Sequence, residues 1–253
     1  MRKTFLLVGC MLLSMAAEAQ SLRGDLNGDG KVDVTDIVTL VNIVLDKESS
    51  TESTGRETVD LGLPSGTKWA NMNVGAEKPE DVGLYFAWGE TTGYLGDDHN
   101  FAWETHVWCN GSNTSLTKYC GSSRNGIVDN KTLLDLDDDA AYVNWGSQWR
   151  MPTITEFQEL INNTTSEWIT QNGVNGRKFT SKTNGNSIFM PAAGYRSGTS
   201  AGSTPEPFGY YWSSLCEDEW SDSANYFSFF SGSSYTSNMS RFAGMNVRPV
   251  RRN

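Results

Sequence analysis

At 253 residues, with 38% hydrophobic and 11% aromatic content, the chain is long enough for one sizeable core plus a small appendage. Its formal charge of -10, from 30 acidic against 20 basic residues, argues against a nucleic-acid partner, because phosphates are bound mainly through clustered Lys and Arg. Glycans, proteins and calcium stay open as partners.

The first residues predict export. Arg2 and Lys3 precede an apolar run from Phe5 to Met15, and Ala17-Glu18-Ala19 supplies a small-x-small cleavage pattern. Residues 1–19 therefore read as a signal peptide with cleavage before Gln20. Leu7-Val8-Gly9-Cys10 has the outline of a lipid-attachment box, but the apolar run ahead of Cys10 is short for one. The expected location is secreted, periplasmic or outer cell surface. No later stretch has the roughly 18 consecutive apolar residues that a spanning helix needs.

Asp25 to Asp36, DLNGDGKVDVTD, is the most explicit chemical pattern. Oxygen-bearing side chains fall at positions 1, 3, 5, 9 and 12 of a twelve-residue loop as Asp25, Asn27, Asp29, Asp33 and Asp36, with the Lys31 carbonyl at position 7. Gly30 occupies position 6, where a calcium loop turns sharply. Every donor is a hard oxygen, so Ca2+ is the predicted cofactor. Behind the loop, Ile37, Leu40, Val41 and Val44 form a helical stripe. This loop-helix module, residues 21–46, resembles one half of a type I dockerin: Asp36 stands where an EF-hand has Glu, and Val32 matches the usual apolar anchor. A dockerin carries two such loops. Asp135, Asp137 and Asp139 copy the first spacing, but Ala140 replaces the needed glycine, so a second loop is absent. The resemblance implies a cohesin-like partner or a second dockerin half. Residues 47–57, rich in Ser, Thr and Glu, read as a flexible linker to a large domain over 58–253.

In the large domain, Val59 to Trp69 predicts a strand and a Pro64-Ser65-Gly66 turn, followed by core candidates Trp69, Met72 and Val74. Leu84, Phe86 and Trp88 alternate with Tyr85 and Ala87, as in a strand with one buried face. His99 and His106 lie near Asp97, Asp98 and Glu104 without the spacing of a tight metal pair, and read as a solvated loop. Once Cys10 is removed, Cys109, Cys120 and Cys216 remain. An oxidising compartment makes Cys109 and Cys120 the disulfide candidates and leaves Cys216 odd; the alternative is three unpaired thiols.

Trp145 to Leu160, WGSQWRMPTITEFQEL, predicts a short helix. Ile154, Phe157, Leu160 and Ile161 make its buried stripe, and Thr153 with Glu156 can form a capping box. Asn172 to Asn186 predicts hairpins around Arg177 to Thr180, and Ile188, Phe189 and Met190 a buried strand. Tyr195 to Phe208 reads as a long loop. Tyr210, Tyr211 and Trp212 open a further strand.

Three ordered blocks, DLGLPSGTKWANMNVGAEKPEDVGLYFAWGETT (Asp60 to Thr92), DLDDDAAYVNWGSQWRMPTITEFQEL (Asp135 to Leu160) and YYWSS with NVRPVRR (Tyr210 to Ser214, Asn246 to Arg252), resemble the Fibrobacter succinogenes major paralogous domain family. The resemblance spans roughly Thr58 to the C-terminus. It implies an α+β, C-type-lectin-like fold with much irregular loop, similar to formylglycine-generating enzymes and to variable display proteins. In that family's pattern Ala224, Phe227 and Phe229 are apolar positions. Their alternates Tyr226, Ser228 and Phe230, with Tyr235, Asn238, Met239, Arg241 and Phe242, are then expected to form a ligand-binding face of adaptable contact residues. The usual calcium-dependent sugar motifs of C-type lectins are missing, and Trp220-Ser221-Asp222 is a partial echo only.

These readings favour a secreted or cell-surface binding module for an extracellular glycan or surface protein, docked through the calcium segment. The alternative is a component of polysaccharide degradation attached the same way. A glycosidase needs two suitably separated carboxylates, and none is singled out here. An oxidase like the formylglycine-generating relatives needs a reactive cysteine pair, which Cys216 lacks.

Overall fold

A computed structural model describes residues 31–34, 37, 55–202, 207–217 and 220–251. The chain divides into two units, Met1–Glu52 and Ser53–Asn253, and each is described by itself. The second unit is a mixed α+β fold made mostly of antiparallel sheet.

In chain order its strands begin with β1 (Thr58–Val59), β2 (Lys68–Ala70) and β3 (Tyr85–Phe86). A long irregular segment leads to helices α1 (Ala140–Trp145) and α2 (Ile154–Asn163). Then come β4 (Thr164–Gln171), β5 (Val174–Ser181), β6 (Ser187–Pro191), β7 (Arg196–Ser197) and β8 (Ser200–Ala201). The chain closes with β9 (Gly209–Cys216), β10 (Ser223–Phe229), β11 (Ser234–Ser240), β12 (Met245–Asn246) and β13 (Val250–Arg251).

The central sheet has the order β11-β10-β9-β12-β3. Strands β4, β5 and β6 form an antiparallel meander, and β13 returns beside β2. Local chemistry explains several of these elements. The Thr153 hydroxyl accepts from the Glu156 amide and the Glu156 carboxylate accepts from the Thr153 amide, the predicted capping box, so α2 starts where the sequence says it should. Phe157 and Leu160 are wholly buried, while Ile154 and Ile161 are half-buried at the edge of the stripe. Burying a side chain such as Phe157 contributes about 1.5–3 kcal/mol. It does so here against Phe227, whose ring stacks at 4.8 Å, and Trp69 at 5.2 Å. The β4–β5 hairpin turns at Asn172 and Gly173, both with positive φ, as a two-residue turn of this hand requires. Ile188, Phe189 and Met190 are buried in β6 as expected.

Two apolar clusters cover the two faces of the central sheet. One gathers Trp88, Tyr119, Trp145, Trp149, Tyr210, Trp212 and Tyr226; the other gathers Trp69, Phe157, Phe179, Tyr211, Phe227 and Phe229. Alternate residues of β9 and β10 therefore enter different cores. The same reason corrects the one-faced reading of Leu84 to Trp88: Phe86 and Trp88 face the first cluster, while Tyr85 and Ala87 pack with Phe101 in a third, and all four are buried.

A buried cation joins these layers. Arg248 has no exposed surface. Its Nε donates to Asn73 Oδ1 at 2.8 Å, Nη1 to the Ala70 carbonyl at 3.1 Å and Nη2 to the Phe189 carbonyl at 2.9 Å. Asn73 is fixed in turn by donating to the Val82 carbonyl at 2.8 Å, and Tyr211 donates to the Pro191 carbonyl at 2.8 Å beside it. Burial pushes the guanidinium down to about 10, still well ionised at neutral pH, because oxygens from several segments replace its water. Among the described residues no helix is long and apolar enough to cross a membrane.

Arg248→Lys keeps the charge but gives one ammonium in place of a planar fork reaching three acceptors. Urea unfolding of this variant is expected to show a loss on the order of 3 kcal/mol, with the same m-value as the parent. An unchanged midpoint would refute the central role of the guanidinium.

Candidate functional site

The face expected from the terminal strands does not exist as a continuous surface. Tyr226 and Ser228 are buried because β10 lies between β9 and β11 with a core on each side, and Arg241, just past β11, is enclosed against the Lys118 and Tyr119 carbonyls. Tyr226 packs on Tyr210 at 5.5 Å and Trp212 at 6.4 Å. Phe230, Met239 and Phe242 are half-buried, Phe230 against Phe208 at 5.1 Å and Phe242 against Trp103 at 5.2 Å. Tyr235 and Asn238 are exposed, but they stand at odd and even positions of an unbroken pairing register and so point to opposite faces of the sheet.

The cysteine bridge is also corrected. Cys109, Cys120 and Cys216 are all free. The Cys109 thiol donates to the Trp103 carbonyl at 3.0 Å and the Cys120 thiol to the Ser122 carbonyl at 3.0 Å, so the two turn to separate partners. Burial pushes the Cys216 thiol up to about 12, which leaves it inert at neutral pH. His106 is not solvated: its side chain is enclosed, with Nδ1 2.9 Å from Glu90 Oε1. Burial lowers its pKa against the pull of Glu90. His99 stacks on Tyr94 at 3.9 Å. The space beside Glu90, about 180 Å³, is below the roughly 300–1,000 Å³ usual for ligand pockets.

Of the predicted calcium ligands, Asp25, Asn27, Asp29 and Asp36 lie outside the described residues, as do Leu40, Val41 and Val44 of the stripe behind them. Lys31 and Asp33 are exposed. Val32 and Ile37, read as the apolar anchor and the start of the stripe, expose 58% and 61% of their surface. Among the described residues no group of three or more His, Cys, Asp or Glu is placed to hold a metal ion.

The arrangement best suited to a ligand lies elsewhere, between the irregular segment 113–125 and the turn that joins β9 to β10. It is a recess of about 550 Å³ with Asn113, Thr114, Ser122, Arg124 and Asn125 on one wall and Trp220 and Asp222 on the other. Trp220 presents 67% of its surface to solvent, the most exposed of the described tryptophans. The walls are joined directly. Asn113 Nδ2 donates to Asp222 Oδ2 at 3.0 Å, and the Gly121 amide donates to Ser221 Oγ at 2.8 Å.

Each wall has its own support. Asp129 accepts from the amides of Tyr119 at 2.9 Å, Cys120 at 2.8 Å and Lys131 at 3.1 Å, which pins the first wall as an irregular loop. Asn125 Nδ2 donates to the Asn113 carbonyl at 3.1 Å. At Gly126, φ is +153° and a Cβ would come within 2.1 Å of the Leu116 carbonyl oxygen, so only glycine lets the two strands of this loop meet. The second wall rests on Arg241, whose amide donates to the Asp222 carbonyl at 3.0 Å. The Arg241 side chain is fully enclosed, its Nη1 donating to the Lys118 and Tyr119 carbonyls at 3.2 and 3.1 Å. Desolvation by burial lowers its pKa. Arg241 is thus a support beneath the recess. The sequence singled it out for the wrong role.

A second recess, of about 460 Å³, carries two carboxylates, Glu156 and Glu159. Both are occupied. Arg150 forks onto Glu156 with Nη1 at 2.8 Å and Nη2 at 2.6 Å, and the Thr67 hydroxyl donates to it at 2.7 Å. Glu159 accepts from the Ser65 amide at 2.8 Å and from its hydroxyl. Burial alone would raise the Glu156 pKa, but Arg150, the Thr153 amide and Thr67 outweigh it and hold the carboxyl at about 2. Such a group is a structural anion, unsuited to donate a proton at neutral pH.

Comparison of the chain with family models, curated proteins and solved structures finds no match.

The depressed Glu156 pKa sets an acid limit. Its contribution is fully present above the ordinary value of 4.5 and is lost as pH falls toward about 2. From that interval the loss is about 3 kcal/mol. Thermal unfolding is expected to show the melting temperature dropping across this window, and Glu156→Gln to flatten that drop while lowering stability at neutral pH. A Glu156→Gln variant with the parental acid profile would contradict it.

Proposed function

We propose that this chain is a secreted or cell-surface binding module whose large domain, of C-type-lectin-like fold, recognises an extracellular glycan. The observation that carries the reading is the exposed Trp220 beside a polar wall of Asn113, Asn125, Thr114 and Ser122. An indole left in water offers a flat apolar surface to the C–H face of a sugar ring. Amide and hydroxyl groups beside it can donate and accept with ring hydroxyls. A protein partner would be expected to demand a broader apolar centre than one indole within a polar rim. The mixed sheet with a long irregular segment supports the fold assignment, and Ala17-Glu18-Ala19 after an apolar run supports export.

In this reading residues 21–46 are a calcium-dependent, dockerin-like docking segment, and the exposure of Val32 and Ile37 supports a partner that covers them. A polysaccharide-degrading component attached in the same way would share the glycan but add turnover. The engaged state of Glu156 and Glu159 gives that alternative no free carboxylate pair in their recess.

Two measurements test this. On a glycan panel, the full chain is expected to retain a soluble oligosaccharide, and Trp220→Ala to weaken retention about tenfold or more with an unchanged melting temperature. Retention of a surface protein but of no glycan would replace the glycan reading, and release of new reducing ends by the pure protein would make it an enzyme. Calorimetric titration of the full chain with Ca2+ is expected to show binding that is lost in the double variant Asp25→Ala, Asp29→Ala; absence of binding by the parent would remove the docking assignment.

A further inference from the structure

We propose that β11 is a self-association edge: two copies of this chain pair their β11 strands antiparallel about a two-fold axis through Ser237, so that two five-stranded sheets become one continuous sheet. The pairing does not depend on what the Trp220 recess holds.

The central sheet ends on one side at β3 and on the other at β11. The β3 edge is closed: Tyr85 and Phe86 are buried, and Tyr85 exchanges both backbone hydrogen bonds with Tyr94, each at 2.9 Å. β11 is different. It is paired on one side, to β10, over its seven residues from Ser234 to Ser240. Tyr235, Ser237 and Asn238 are exposed, and the others are half-buried. In an antiparallel ladder alternate residues turn their N–H and C=O away from the partner strand. From Tyr235 to Met239 no backbone group bonds to backbone other than that of β10 among the described residues. Such a row of donors and acceptors is a template for another strand.

Proteins commonly blunt an open edge with Lys, Pro, a bulge or an inward charge. β11 has none of these: its sequence, SYTSNMS, carries no charge and no proline, and its register with β10 is unbroken. The neutrality extends through the hairpin, since no residue from Ser223 to Ser240 is charged in a chain where 20% are. The β4 edge of the meander, by contrast, carries an exposed Glu167 in mid-strand.

The pattern along β11 selects the occupant. Register with β10 puts Tyr235, Ser237 and Met239 on the face shared with Ala224 and Tyr226, and Thr236 and Asn238 on the opposite face. Antiparallel pairing about Ser237 then sets Tyr235 across from Met239 of the second copy and Thr236 across from its Asn238, each contact occurring twice. A tyrosine ring meets a thioether, and a hydroxyl meets an amide. Ser237 meets Ser237. The seam therefore brings no like charges together, although each chain has a formal charge of -10. A charged peptide would find no complementary group on this strand. Pairing uses the β11 edge of both molecules, so it closes at two.

Sedimentation equilibrium on the full chain tests this. A reversible dimer is expected with a dissociation constant on the order of 10–100 µM, because one strand pair buries less than the roughly 1,200–2,000 Å² of a standard interface. Association is expected to strengthen as salt screens two acidic molecules. Ser237→Lys and Ser237→Glu each place two like charges directly opposite, and each is expected to weaken the dimer about tenfold or more. An equal mixture of the two variants is expected to regain the parental dimer affinity, which a mere loss of stability in either variant would not produce. A parent that stays monomeric at about 1 mM overturns the pairing and leaves the edge to a different chain. Species larger than a dimer, or a mixture that stays as weak as its components, overturn it as well.

Discussion

A guanidinium with no contact with water sets the terms for the large domain. Arg248 can be buried only if each side of its fork finds an oxygen, since an ionised group left without partners in the interior would cost several kcal/mol. The Ala70 and Phe189 carbonyls and the Asn73 amide oxygen supply those partners from segments far apart in the chain. The C-terminal stretch, the loop after β2 and strand β6 therefore have to arrive at one point. That convergence holds β13 beside β2 and brings the β4–β5–β6 meander into the layer that covers one face of the central sheet.

Closing both faces of the central sheet has a consequence for where binding can occur. Strands β9 and β10 send aromatic residues alternately into two cores, so neither offers an outward face. Recognition is left to the segments that connect the strands, the usual place for it on a rigid scaffold. The recess at Trp220 follows this pattern. Its walls are irregular backbone, fixed by Asp129, Gly126 and the buried Arg241 rather than by strand pairing. The two charged side chains with no exposed surface divide between these tasks: Arg248 joins layers, and Arg241 supports the turn that carries Asp222 and Trp220.

Much of the local structure was legible in the sequence. The capping box at Thr153 and Glu156 needs residues only three apart and appears where expected, and Asn172 to Asn186 does hold a hairpin turn, although it falls at Asn172 and Gly173 while Arg177 to Thr180 lie within β5. Aromatic positions such as Phe86, Trp88 and Phe157 could be placed in a core because a period of two or 3.6 marks one face of an element as apolar. Those signals are short-range, and their physical causes are complete within a single element.

What the sequence could not supply is whether the other face of an element is covered as well. Alternation in β10 was compatible with Tyr226 and Ser228 pointing to solvent, and only the packing of β9, β11 and a second core against that strand puts them inside. In the same way, Asn113 and Asp222 are 109 residues apart and meet only because the irregular loop and the β9–β10 turn are brought together by the fold. The direction of the Cys109 and Cys120 thiols depends on which carbonyls the folded loop places beside them. The sequence by itself determined the helix, the hairpin turns and most of the apolar positions, since these follow from neighbours along the chain. The tertiary structure decided which polar and aromatic side chains remain in water, because that depends on contacts between segments whose separation carries no periodic signal.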